Sequence, residues 1–178
     1  MNNLKRIQQV SQVLRLIITF LLLAIPVGTI FYWLTFNDIS WPLPQVLEQF
    51  TFKPYPSTAL VLGFLVTLIP VGLVMFGLLQ LRKLFALYRK GEVFSRSSSS
   101  CLMGMGIALV AWLPAGMTFD ALISYLITMY NGPSQGHVIS IGIHGQDLTL
   151  LLIGVVFMII AWVMGEANAL AEDQAQII

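Results

Sequence analysis

Charge is scarce in this chain, and that scarcity decides its class. Charged residues fill 10% of the 178 positions and hydrophobic ones 57%, against about 25% charged in soluble domains. A water-soluble fold of this size would lack the polar surface to cover its apolar mass. Cysteine is nearly absent: Cys101 stands alone, which excludes an intramolecular disulfide and any zinc site built on paired cysteines. Histidine is limited to His137 and His144. The net charge of +1 leaves no electrostatic footprint for direct nucleic-acid binding.

What the chain has instead is four long apolar runs, Leu16–Phe36, Thr58–Leu81, Leu102–Tyr130 and Leu148–Gly165. Each is long enough to cross a bilayer as a helix, which takes about 20 mostly apolar residues. The expected fold is all-α and integral to the membrane: a single four-helix domain over 1–178, with transmembrane helices at about 16–36, 58–81, 102–126 and 148–165. The first run is too long for the apolar stretch of a signal peptide, and no small-x-small cleavage site follows it, so it reads as a retained anchor.

The basic residues set the expected orientation, because Lys and Arg stay on the cytoplasmic side. Lys5, Arg6 and Arg15 precede the first span, and Arg82, Lys83, Arg89, Lys90 and Arg96 lie between the second and third. Lys53 alone falls on the other side, so eight of nine basic residues share one face. Both termini are thereby expected in the cytoplasm.

Between the spans, residues 1–15 read as a basic helix lying on the surface or extending span one. The loop Asn37–Ser57, with Trp41, Tyr55 and four prolines, reads as a structured cap resting at the headgroup level. Residues 82–91 continue span two as a helix: Leu81, Leu84, Phe85 and Tyr88 share one face, and Arg82, Lys83, Arg89 and Lys90 lie roughly opposite. Gly91 is placed to stop that helix, and a serine of Ser95–Ser100 to cap the next. Asn131-Gly132-Pro133-Ser134 signals a turn. The β-branched run His137–His144 suggests a short extracytoplasmic strand. Span four is expected to run on into the polar tail 166–178.

One regularity cuts across the spans. Pro26-Val27-Gly28, Pro70-Val71-Gly72 and Pro114-Ala115-Gly116 recur at 44-residue intervals. Either they are kinks that open a cavity or joint, or they reflect the ordinary frequency of Pro and Gly in membrane helices.

Chemistry-bearing residues are few. No catalytic, cofactor-binding or metal constellation is expected, and the chain reads as a non-enzyme. A metal site would need His137 and His144 to converge with Asp147 or Asp120; surface histidines are the plainer reading. Asp120 is the one carboxylate in a span region, which makes it a functional candidate by default, although the length of span three places it at the outer interface. Gly104-Met105-Gly106 reads as close helix packing, and Met103, Met105, Met117, Met158 and Met164 as packing residues. Cys101 reads as a small buried residue or, if accessible, a palmitoylation target. A polar stripe for transport would rest on Thr19, Thr29, Thr67 and Thr118 alone.

Leu84-Phe85 followed by Tyr88-Arg89-Lys90-Gly91-Glu92-Val93-Phe94-Ser95 resembles a signature of a bacterial four-span membrane family of unknown function. Val138-Ile139-Ser140-Ile141, Asp147-Leu148 and the segment Glu166–Ile178 with Leu170, Glu172 and Asp173 are similar to its closing segment. The chain departs from the pattern at Ser97–Ser100 and Gln174-Ala175-Gln176. The resemblance implies a multi-pass protein of the bacterial inner membrane with no established activity, often encoded beside a small helix-turn-helix regulator. It carries no catalytic residues across.

The expectation is therefore a protein that works by interaction, as a membrane sensor or the partner of a cytosolic regulator. Its expected contact residues are Arg82, Lys83, Arg89, Lys90, Gly91, Glu92 and Phe94, with Glu172 and Asp173 of the tail forming an electrostatic latch and Glu92 pairing with Arg89 or the tail. Lipids, a helix-turn-helix regulator and further copies of the chain are the partner classes considered. The alternative is a small transporter or channel subunit working as an oligomer.

Overall fold

The computed structural model describes residues 2–38, 54–130 and 139–175, with side chains for 9–38, 54–130 and 139–171. Four helices make up nearly all of it: α1 (Asn2–Leu34), α2 (Ser57–Arg89), α3 (Arg96–Tyr130) and α4 (Gly145–Ala175). All four are long and apolar enough to cross a membrane, so the chain is a multi-pass membrane protein. At 31 to 35 residues each helix is about 50 Å long, well beyond the hydrocarbon thickness of about 30 Å. The helices extend beyond the apolar runs: the basic lead-in lengthens α1, and the tail continues α4.

Helix backbones approach closely only between neighbours in sequence, among the described residues. Among the described residues α1 approaches α2, α2 approaches α3 and α3 approaches α4, while no backbone contact within 8 Å joins α1 to α3, α1 to α4 or α2 to α4. The result is an open row of antiparallel helices rather than a closed bundle. Its α3–α4 seam shows why. Water gives no hydrophobic drive between helices in lipid, so association relies on close van der Waals contact. A Cβ on Gly106 would sit 2.8 Å from the Gly154 carbonyl oxygen and 2.6 Å from Met158 Cγ; a Cβ on Gly154 would sit 2.9 Å from the Gly106 carbonyl. Further along the seam the Ser99 hydroxyl donates to the Ala161 carbonyl, and Gly165 lies against Ser99. The α1–α2 seam uses the same device once: the Trp33 indole fills the space above Gly63, and its Nε1 donates to Thr67 Oγ1 at 3.1 Å.

The core is split between the two ends of the row. At the end where α1 begins and α4 finishes (the termini end), Leu84, Cys101, Leu102 and Ala161 are buried together, with Leu81, Tyr88, Met103, Met105 and Met164 against them. The apolar face expected for residues 82–91 is the face found there. Cys101 belongs to this cluster and is only 7% exposed. At the far end Tyr55, Ala59, Ile123 and Ile127 are buried beneath Trp33 and Phe36. Tyr55, expected at the headgroup level, is drawn inward because the Asn37 side chain grips its backbone twice, accepting from Tyr55 N–H and donating to its carbonyl, both at 3.0 Å. Most of the cap expected over Asn37–Ser57 lies outside the described residues.

Pro26, Pro70 and Pro114 sit inside α1, α2 and α3, and each helix continues through its proline. A Cβ on Gly28, Gly72 or Gly116 would meet nothing within 4 Å. The 44-residue repeat thus marks open positions, not packing points. An apolar cleft of about 540 Å³ does open between α1 and α3 over α2, lined by Gly28, Tyr32, Trp33, Thr67, Phe119 and Ile123 among others.

The expected strand is not found. Residues 139–144 carry no strand pairing, and His137 and Val138 lie outside the described residues. The reason is local: the Ser140 N–H pairs with a side chain of α3, as set out below, and not with another strand.

These contacts separate two kinds of glycine. Gly106→Leu drives a side chain into the Gly154 backbone and is expected to destabilise the protein by about 1–3 kcal/mol. Gly72→Ala enters open space and is expected to be neutral or to stabilise by up to about 1 kcal/mol through helix propensity. Thermal unfolding in mild detergent, followed by circular dichroism, checks both.

Candidate functional site

The connector between α2 and α3 carries most of the residues expected to make contacts, and its shape follows from two caps. Helix α2 ends in a paired C-terminal motif: Gly91 N–H donates to the Tyr88 carbonyl and Glu92 N–H to the Leu87 carbonyl, each at 3.1 Å. That arrangement requires a left-handed residue just past the helix, and Gly91 supplies it with φ +85. Helix α3 begins at a serine cap. Ser95 Oγ accepts the Ser98 N–H at 3.1 Å, meeting one of the helix's unpaired donors. The Ser98 hydroxyl, fully buried, then donates to the Glu92 carbonyl at 2.7 Å. Four residues, Gly91 to Phe94, are thereby locked between two helix ends.

The signature Gly-Glu-Val-Phe-Ser is thus a built turn. Gly91 provides the backbone angle, Glu92 is held by its N–H and its carbonyl, and Ser95 starts α3. The side chains left over point away: Lys83, Arg89, Lys90 and Glu92 are exposed and Arg82 is half-buried, while Phe94 is 79% exposed. The expected Glu92–Arg89 pair is absent: among the described residues the ion pair present is His144–Asp147. Glu92 acts through its backbone, whose two hydrogen bonds aim the carboxylate outward. Glu172 and Asp173 continue α4; their side chains, and so the latch, lie outside the described residues.

The far end holds a polar node that the sequence reading did not assemble. Asp120 is 9% exposed, and Ser124 one turn on is 1% exposed. Residues 139–144 run back along this face of α3. Ser140 N–H donates to Ser124 Oγ at 3.0 Å, and Gly142 passes beside the Asp120 carboxylate. His144 then starts α4. Its N–H donates to Asp147 Oδ2 at 2.9 Å, and its ring Nδ1 stands 3.4 Å from the same oxygen. Asp147, in the first turn of α4, is well placed against the helix dipole. Its Oδ1 accepts from Trp112 Nε1 at 3.1 Å, which ties the start of α4 to α3. A methyl group on Gly142 would lie 3.0 Å from His144 Cε1 and 3.5 Å from Asp120 Oδ2, so the strap passes between these side chains. Asp120 and Ser124 at i,i+4 and the Ser140/Gly142 alternation were the available signals.

Asp120 therefore lies beside the segment that leads into α4. Among the described residues no group of three or more His, Cys, Asp or Glu is placed to hold a metal ion. The four threonines offered for a polar stripe all turn inward on their own helices. Thr19, Thr29, Thr67 and Thr118 donate to the carbonyls of Arg15, Ile25, Gly63 and Pro114, at 2.7 to 2.9 Å.

Two substitutions probe these constructions. Gly91→Ala forces a side chain into the left-handed region and is expected to cost about 1–2 kcal/mol. Ser124→Ala leaves the Ser140 N–H without its partner and is expected to cost about 1–3 kcal/mol. Unfolding midpoints in detergent measure both, with Ser97→Ala as the surface control.

No curated protein and no solved structure matches the chain. One family does, described as protein of unknown function (DUF2975), and its match spans residues 35–178. That stretch takes in Phe36 and Tyr55 of the far-end core, the capped connector and residues 139–144. The chain belongs to this family.

Proposed function

We propose that this chain is a non-enzymatic protein of the bacterial inner membrane, with both termini in the cytoplasm, that works by docking a cytosolic partner. The observation that carries this reading is the connector. Two caps fix a four-residue turn and hold Phe94, 79% exposed, beside exposed Arg89, Lys90 and Glu92. A large aromatic side chain on a rigid mount is the usual anchor of a protein contact, and mixed charges around it steer the encounter. The same end carries eight of the nine basic residues, which supports its cytoplasmic placement. The partner in view is a small helix-turn-helix regulator, held or released by the membrane protein as a sensor, with the continuation of α4 beyond Glu166 adding to the contact. Membrane transport gains less support: Thr29 and Thr67 line the apolar cleft between α1 and α3, but their hydroxyls donate to their own helix carbonyls.

The test is purification from native membranes in mild detergent, with mass spectrometry of what accompanies the protein. A stoichiometric cytosolic partner is expected with the unaltered chain. Phe94→Ala is expected to cost about 2 kcal/mol of binding, as for a hot-spot aromatic, and a variant replacing Arg89, Lys90 and Glu92 together is expected to lose the partner while still inserting. Normal recovery from both variants would contradict the reading.

A further inference from the structure

The strap at residues 139–144 has a second side. Its polar positions face α3: Ser140 donates to Ser124 and Gly142 lies against the Asp120 carboxylate. Its intervening residues, Ile139, Ile141 and Ile143, are 62%, 56% and 60% exposed. A loop in water rarely presents three isoleucines in alternation, and contiguous exposed apolar surface marks a site of contact.

The depth of the strap indicates with what. Ser124 and Asp120 precede the end of α3 at Tyr130 by six and ten residues, about 9 and 15 Å at 1.5 Å per residue. The strap therefore lies beside a span helix, below its tip, and leads directly into the span that starts at Gly145. No charged residue occurs from Ile139 to Ile143. Leu148, in the first turn of the α4 span, is likewise exposed. Near hydrocarbon, a backbone N–H must be met by the protein itself, since water is not available to meet it. The donation from Ser140 to Ser124 fulfils that requirement at the middle of the strap.

We propose that residues 139–143 form an interfacial anchor, with Ile139, Ile141 and Ile143 inserted into the acyl–headgroup boundary of the bilayer and the Asp120–Ser124 face of α3 setting the depth. The occupant of this surface is lipid. The site is independent of the cytosolic docking proposed above and lies at the opposite end of the row.

The test places a single thiol on the strap. Ile141→Cys, in a Cys101→Ala background, is labelled with an environment-sensitive NBD fluorophore and reconstituted in vesicles of 3:1 phosphatidylcholine to phosphatidylglycerol. Glu92→Cys in the same background is the water-exposed control. Lipid carrying a nitroxide high on its acyl chain is expected to quench the strap label about twofold or more over the control, as for a side chain buried roughly 5–10 Å into the interface. Iodide on both sides is expected to quench the control preferentially. Equal iodide quenching at both positions would overturn the proposal by placing the strap in water. Protection from both quenchers would overturn it by showing that protein covers the row. Ile143→Cys serves if the first variant does not reconstitute, and it is read by the same outcomes.

Discussion

Within a bilayer every backbone N–H and carbonyl must find its partner inside the protein, and this requirement organises the molecule. It makes the spans helical. It also governs the places where the chain leaves a helix. Asn37 meets both backbone groups of Tyr55 and Ser124 meets the Ser140 donor of the strap; at the water-facing connector, Gly91 and Ser95 close the two helix ends by the same kind of pairing. Polar side chains in this protein mainly serve the backbone. That is why so few are left for chemistry.

The same solvent explains the open row. Apolar side chains gain little by leaving lipid for protein, so helices adhere where backbones come close and where side chains interlock. Close approach occurs at Gly106 and Gly154 and at Gly63 under Trp33. Elsewhere large apolar residues stay outward, including Phe20, Leu23 and Leu34 on α1 and Leu152 and Trp162 on α4. Two compact knots joined by long helices leave the ends of the molecule free for separate roles: a rigid charged and aromatic turn at one, an apolar strap at the other.

Much of this was legible in the sequence because it depends on composition and on short-range rules. Four apolar runs mark four helices, and Gly91 and the serine run mark the boundary between α2 and α3. The helix face of Leu81, Leu84 and Tyr88 is written in their spacing. What was not legible depends on contacts between distant segments. The β-branched run before His144 has the alternation of a strand, and the alternation is real, but its polar neighbours are Ser124 and Asp120 on a helix. Pairing preference along a segment says nothing about what lies beside it. Likewise, the charge of Glu92 suggested an ion pair, whereas the turn uses its backbone. Close packing at Gly104-Met105-Gly106 was legible from its small residues, whereas its partner Gly154 on α4 was not, because that contact joins distant segments.

Hydrogen–deuterium exchange of the protein in lipid vesicles tests the central claim most directly. The account predicts slow exchange at the amides of Tyr55, Glu92, Ser98 and Ser140, which lie at or beyond helix ends yet have partners. Exchange of these amides at the rates of an unstructured peptide, with the helix interiors still protected, would contradict it.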